Sequence, residues 1–231
     1  MKTTIVVLGV LALSAVLAQS VKTELIGFAV MPADTFAAGP ASGQFNGNGT
    51  KSDAPRFTGQ PVQGFSAIQL GENGSHWVMP DNGFGAKFNS IDYLLRVYNI
   101  SLDAKTASGG AGAVKVNNFL QLSDPDKKIP FFIINEATTE RNLTGYDFDI
   151  ESFVVAKDGT LWIGEEFGPY LLHFSATGKL LSAPVSTPDF GAGKDASKDT
   201  VRSPNNIGVL SSSPAPGAIS AANLGGSKGF E

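Results

Sequence analysis

YDFDIESFVVAKDGTLWIGEEFGPY, running from Tyr146 to Tyr170, reads as two strands joined by a tight turn. Asp147, Asp149 and Glu151 alternate with Phe148 and Ile150, and a strand sends residues two apart to the same face. The expectation is three carboxylates along one side and apolar groups along the other. Lys157-Asp158-Gly159 carries turn chemistry, and the extended run Thr160 to Ile163 leads into Glu165 and Glu166. The hairpin thus gathers five carboxylates near one end. Like charges that close repel unless a cation, a basic partner or a proton relieves them.

The same pattern occurs earlier in the chain. Offset by 85 residues and without gaps, Gly64 to Gly83 lies over Asp149 to Gly168. Gly74 falls on Gly159, Trp77 on Trp162, Gly83 on Gly168 and Asp81 on Glu166. After an eight-residue excess in the first copy, Tyr93-Leu94-Leu95-Arg96 falls on Tyr170-Leu171-Leu172-His173. Each copy is strand, turn, Trp-bearing strand, acidic loop, strand, as in a propeller blade, and the offset suits every second blade of the usual ~40-residue length.

Strands are predicted at Glu24–Val30, Gly64–Leu70, His76–Met79, Tyr93–Tyr98, Ile129–Asn135, Ser152–Ala156, Thr160–Gly164, Tyr170–Phe174 and Lys179–Leu181. No window shows a helical stripe, and 27 glycines and 13 prolines punctuate short apolar runs. The class is all-β; strands and turns of this kind suit a sandwich, barrel or propeller, and the repeat selects a β-propeller of a few blades. Met31 to Gln60 reads as a long irregular loop. Ser182 to Lys228 reads as loosely held chain, or as a loop over the propeller face.

Residues 1–18 read as an export signal: Lys2, the apolar run Ile5 to Val16, and the small-residue pattern Val16-Leu17-Ala18. Residues 19–231 then form the mature domain, secreted to the extracellular space. The formal net charge of −4 argues against a nucleic-acid partner, and no segment has the length of a membrane span. Without cysteine, the fold must be stable through burial alone, and thiol catalysis is excluded. Four acceptor sequons, beginning at Asn48, Asn73, Asn99 and Asn142, fit a glycoprotein of a eukaryotic secretory route, although such triplets also arise often by chance. A monomer is expected.

GFSAI, VMPDNGFGAKFNSIDYLLRVY, LTGYDFDIESFVVAKDGTLWIGEEFGPYLLHFSATGKLL and the terminal GFE resemble the phytase-like family, which has esterase-like activity. The resemblance runs from about Leu25 onward. It implies an exported β-propeller hydrolase acting on phosphoesters with bound Ca²⁺. The family's domain continues beyond Gly229-Phe230-Glu231, so the resemblance also implies that this chain holds an N-terminal part of it.

Asp147, Asp149 and Glu151 offer hard oxygen ligands to Ca²⁺, with Glu165 or Glu166 completing the shell. The bland alternative is a solvated strand face. Asp81, Asn82 and Asp92 are further oxygen donors, beside Asn89. Asp81 gains weight from its match to Glu166, whereas Asp81-Asn82-Gly83 is also ordinary turn chemistry. Asp149, Glu151 and Glu166 are the candidate general bases, and Arg96 the candidate clamp on a phosphate, unless it only pairs with Asp92. Arg141 and Arg202 read as anion contacts or, more simply, as surface charges. His76 and His173 read as packed histidines, and Trp77 and Trp162 as blade-core residues, stacking on a sugar being the lesser alternative. Ser66 and Ser152 lie near the acids without a histidine partner, and no nucleophile elbow is present. Two functions follow as expectations. One is metal-assisted hydrolysis of a small phosphoester. The other is a non-catalytic propeller that binds a glycan or protein and holds calcium structurally, or a fragment without activity.

Overall fold

Residues 23–188, 202–207 and 229–230 are described by the computed structural model. The export signal, most of Ser182 to Lys228 and Glu231 lie outside these residues. The described chain is all-β, in four small antiparallel sheets. Strand β1 (Gly27–Phe28) pairs with β7 (Lys105–Thr106), and β2 (Phe36–Ala37) with β3 (Gln60–Pro61).

Two larger sheets dominate. The first holds β4 (Phe65–Leu70), β5 (His76–Pro80), β6 (Arg96–Asp103) and β8 (Ala113–Gln121), hydrogen-bonded in that order. The second holds β9 (Ile150–Val155), β10 (Leu161–Glu165), β11 (Tyr170–Phe174) and β12 (Val185–Ser186), again in sequence order. Neither sheet closes into a barrel among the described residues.

The repeat is present in the pairing register itself. In the first sheet Phe65 faces Pro80, Ala67 faces Met79 and Gln69 faces Trp77. In the second, Ile150 faces Glu165, Ser152 faces Gly164 and Val154 faces Trp162. Every partner is displaced by the same 85 residues. Both ladders slip at the same place, so Ser66 and Glu151 are the extra residue of equivalent β-bulges. Equivalence extends to Gly83 and Gly168, where an added methyl would strike the rings of Tyr93 and Tyr170. Beyond that contact the copies drift. Trp77 faces Asn99 and Trp162 faces His173, so Asn99, three residues past Arg96, holds the place of His173.

The sheets pack face to face. Met79, Val97 and Leu95 from one side meet Phe153, Leu161, Ile163, Leu172 and Phe174 from the other in the main core, with Ala67 and Leu120 against it. Gln69 clamps the seam: its Oε1 accepts from Val155 N at 2.8 Å. A second cluster, Val62, Val78, Tyr98 and Ile100, covers the far face of the first sheet.

Several predicted strands need correction. Tyr93–Tyr98 is displaced to β6, and Lys179–Leu181 contributes only isolated bridges. Ile129–Asn135 forms no strand, because carboxylates take its backbone donors: Ile129 N donates to Asp124 and Ile134 N to Asp147. The longest strand, β8, was not predicted; it follows glycines and holds Asn117-Asn118 in its middle, both poor strand signals. Arg141 is not a surface charge but is buried against Asp124 at 3.1 Å.

Candidate functional site

The acidic residues separate into a structural pair and a cluster. Asp147 is not on the strand. It sits in a turn, where its carboxylate accepts from Thr144 N at 2.8 Å, Thr144 Oγ1 at 3.0 Å and Ile134 N at 2.9 Å. The alternation expected from Asp147 to Glu151 therefore begins only at Ile150, although Phe148 and Ile150 do enter the core. Glu165 is likewise occupied: Phe167 N, Gly168 N and Tyr170 N all donate to it, at 2.8, 2.6 and 2.8 Å. Both carboxylates hold loops.

Asp149, Glu151 and Glu166 form the cluster, with one oxygen from each lying within 4.8 Å of the others. The bulge places Glu151, the residue before β9 is Asp149, and Glu166 directly follows β10. Glu166 N donates to Asp149 O at 2.8 Å, which ties the two segments together. The first sheet supplies the partners. Asn82 N and Nδ2 donate to the two oxygens of Asp149 at 3.2 and 3.0 Å, and Ser66 hydrogen-bonds to Glu151. Asp81, half-buried, fixes Gly83 N at 2.7 Å and adds its negative charge to Asp149 and Glu151.

Charge is crowded here. Burial, then Asp81 and Glu166, push the Asp149 carboxyl up to about 6. Burial and Asp149 push Glu151 up to about 8. Burial also raises Asp147 to about 6 and Glu165 to about 8, against the pull of their N–H donors. Close carboxylates that cannot all ionise retain a proton or recruit a cation.

The sequence did not point to Lys87, a buried cation beside this region. Its Nζ donates to Tyr146 O at 2.6 Å and lies over the rings of Tyr146 and Phe167 at 4.4 and 4.3 Å. Burial lowers its pKa to about 8, opposed by Asp147, Glu165 and Asp149. A single lysine inside Gly85-Ala86-Lys87-Phe88 was the available signal. Arg96 lies elsewhere: its Nε donates to Gln121 at 2.9 Å and its guanidinium stacks 4.0 Å from the Phe119 ring. Asp92 does not pair with it but accepts from Gly43 N and Gln44 N. Asn89 braces the Phe84–Ala86 loop. His173 stacks on Trp162 with centroids 4.0 Å apart, and Trp77 packs on the main core.

The fit to a calcium ion is geometric. Ca²⁺ takes oxygen ligands at roughly 2.3–2.6 Å, so two ligands of one ion lie up to roughly 5 Å apart. Three oxygens within 4.8 Å meet that limit.

A model of the family described as "Phytase-like: Esterase-like activity of phytase" matches residues 60–231. An "Uncharacterized secreted protein" of Arthroderma benhamiae is 22% identical over 147 residues, which cover 50% of this chain and 28% of that protein. No solved structure matches. Among the described residues no helix is long and apolar enough to cross a membrane.

Proposed function

The chain belongs to the phytase-like family, and on that premise we propose that it is a secreted phosphoester hydrolase whose site is the Asp149, Glu151 and Glu166 cluster. The observation that carries this reading is the convergence of three carboxylate oxygens within 4.8 Å at the seam between two equivalent sheets. The two sheets are read as neighbouring blades of a propeller, since they share register and bulge and pack face to face.

Asp149, Glu151 and Glu166 would hold Ca²⁺, with Asp81 beside them, and the ion would polarise a phosphate oxygen and favour deprotonation of water. Asn82 fixes both oxygens of Asp149, so that carboxylate is oriented before any ligand arrives. Without the ion, Glu151, oriented by Ser66 and raised to about 8, keeps a proton near neutrality, and calcium would displace that proton on binding. No substrate role is given to Arg96, whose guanidinium is engaged by Gln121 and Phe119.

The test is calorimetric titration of CaCl₂ into chelator-treated protein, together with release of phosphate from p-nitrophenyl phosphate. Saturable binding, and turnover abolished by EDTA and by Glu151→Gln, are expected. Turnover that persists undiminished in EDTA sinks the mechanism. The burial of Asp149 and its double bond to Asn82 favour a second reading, a structural cation in a binding protein. That reading predicts calcium binding without phosphate release.

A further inference from the structure

The end of the seam away from the acidic cluster opens into a cleft of about 790 Å³. Gln69, Trp77, Asn99 and Asn118, which lie in one row across the first sheet, form part of its wall. The amides and hydroxyls of Ser75, Ser101 and Asn117 add to it, and among the described residues Glu72 is the one ionisable side chain of its lining. A volume of this size, with one aromatic wall and neutral hydrogen-bonding groups, suits an uncharged polyhydroxylated ligand.

Two sequon asparagines, Asn73 and Asn99, line this cleft, and they are not alike. Asn99 is inside β6, paired with Trp77 on one side and Asn118 on the other. Its amide donates to Ser75 Oγ at 3.0 Å and accepts from Asn117 at 2.8 Å. Asn73 is exposed at the tip of the β4–β5 turn, in the left-handed region at φ 53°, four residues before Trp77. The remaining two sequons lie outside the cleft lining. Thr144 of the Asn142 sequon is buried and bonded to Asp147, and Asn48 accepts from its own Thr50 at 2.7 Å.

We propose that Asn73 carries an N-linked glycan whose first sugar lies in this cleft against Trp77. Attachment forms a bond between Asn73 Nδ2 and the sugar C1. The bond from C1 to the diphosphate of a lipid-linked oligosaccharide donor breaks, the lipid diphosphate departs with the electron pair, and the amide gives up one proton. The exposed turn leaves room in the folded chain for the attached glycan, and the adjacent cleft offers the sugar an aromatic face.

The full chain is secreted from a yeast host, and peptides spanning residues 73–75 are mapped by mass spectrometry. High occupancy at Asn73, without occupancy at Asn99 or Asn142, is expected. The chain has two tryptophans, so in Trp162→Phe the emission reports Trp77 alone. Removing the glycan with a peptide amidase should shift that emission to longer wavelength and raise acrylamide quenching about twofold, because a stacked sugar shields the ring. Trimming to a single sugar should leave both unchanged. The amidase leaves aspartate at position 73, so Asn73→Asp is the blank and should match the treated protein without responding to treatment. An unoccupied Asn73, or an occupied Asn73 with unchanged Trp77 emission, overturns the proposal.

Discussion

The two large sheets share a backbone plan and differ in what occupies it. Ser66 and Glu151 hold the same bulge, Pro80 and Glu165 the same strand end, and Asp81 and Glu166 the same following position. The first sheet fills these places with one carboxylate, the second with three. Their exposure also differs. Ile68 and Phe153 are equivalent, yet Ile68 is 65% exposed and Phe153 8%. A repeat therefore fixes where side chains stand, while neighbours decide whether they are core, surface or site.

The sharpest test of that contrast is truncation at the paired positions. Phe153→Ala should cost about 3–5 kcal/mol through lost burial and a cavity between the sheets. Ile68→Ala should stay within about 0.5 kcal/mol, as at an exposed position. Urea unfolding measures both, and equal costs would break the comparison.

Next in size is calcium affinity. Asp149→Asn and Glu151→Gln, which remove direct ligands, should each weaken binding by more than about 100-fold, whereas Ser66→Ala, a supporting contact from the first sheet, should cost about 10–100-fold at most. Calorimetry ranks them. A Ser66 effect as large as that of Glu151 would mean the two sheets share the site equally.

The acidic cluster also sets a pH dependence. The folded pKa of Glu151 is raised from 4.5 to about 8, and Asp149 is raised in the same direction. The folded state thus binds more protons than the unfolded one across this window. Stability should fall as pH rises from about 4.5 to about 8. Melting temperatures in EDTA should follow that decline, and calcium should flatten it by replacing the proton. A melting temperature that rises over this range would contradict the crowding argument.

The smallest expected effect is a control on equivalence. Gly74 and Gly159 both take positive φ, 76° and 83°, with no close contact in the way of a methyl at Gly74 and ordinary contact at Gly159. Alanine at either should cost about 1 kcal/mol, and the two costs should agree.

Much of this plan was legible in the chain. Turn chemistry at Gly74 and Gly159, the two tryptophans and the apolar runs gave β4, β5, β9, β10 and β11 close to their observed bounds, because these are local preferences. The 85-residue offset survived into the hydrogen-bond ladder. Alternation did not distinguish a carboxylate that faces a cluster from one that caps a turn. Asp147 and Glu165 look like ligands in sequence, yet their oxygens are taken by backbone N–H groups. The role of Asn82 was equally hidden, since its partner Asp149 lies 67 residues away.

The sequence by itself determined the all-β class, the repeat and the phytase-like family, since each rests on short-range pattern repeated along the chain. Only the tertiary structure decided which carboxylates meet. The cluster forms where a bulge in one sheet turns Glu151 toward Asp149 and Glu166, and where the other sheet delivers Asn82 and Ser66. Bringing together groups so distant along the chain depends on two packed faces and their register, which no local preference encodes.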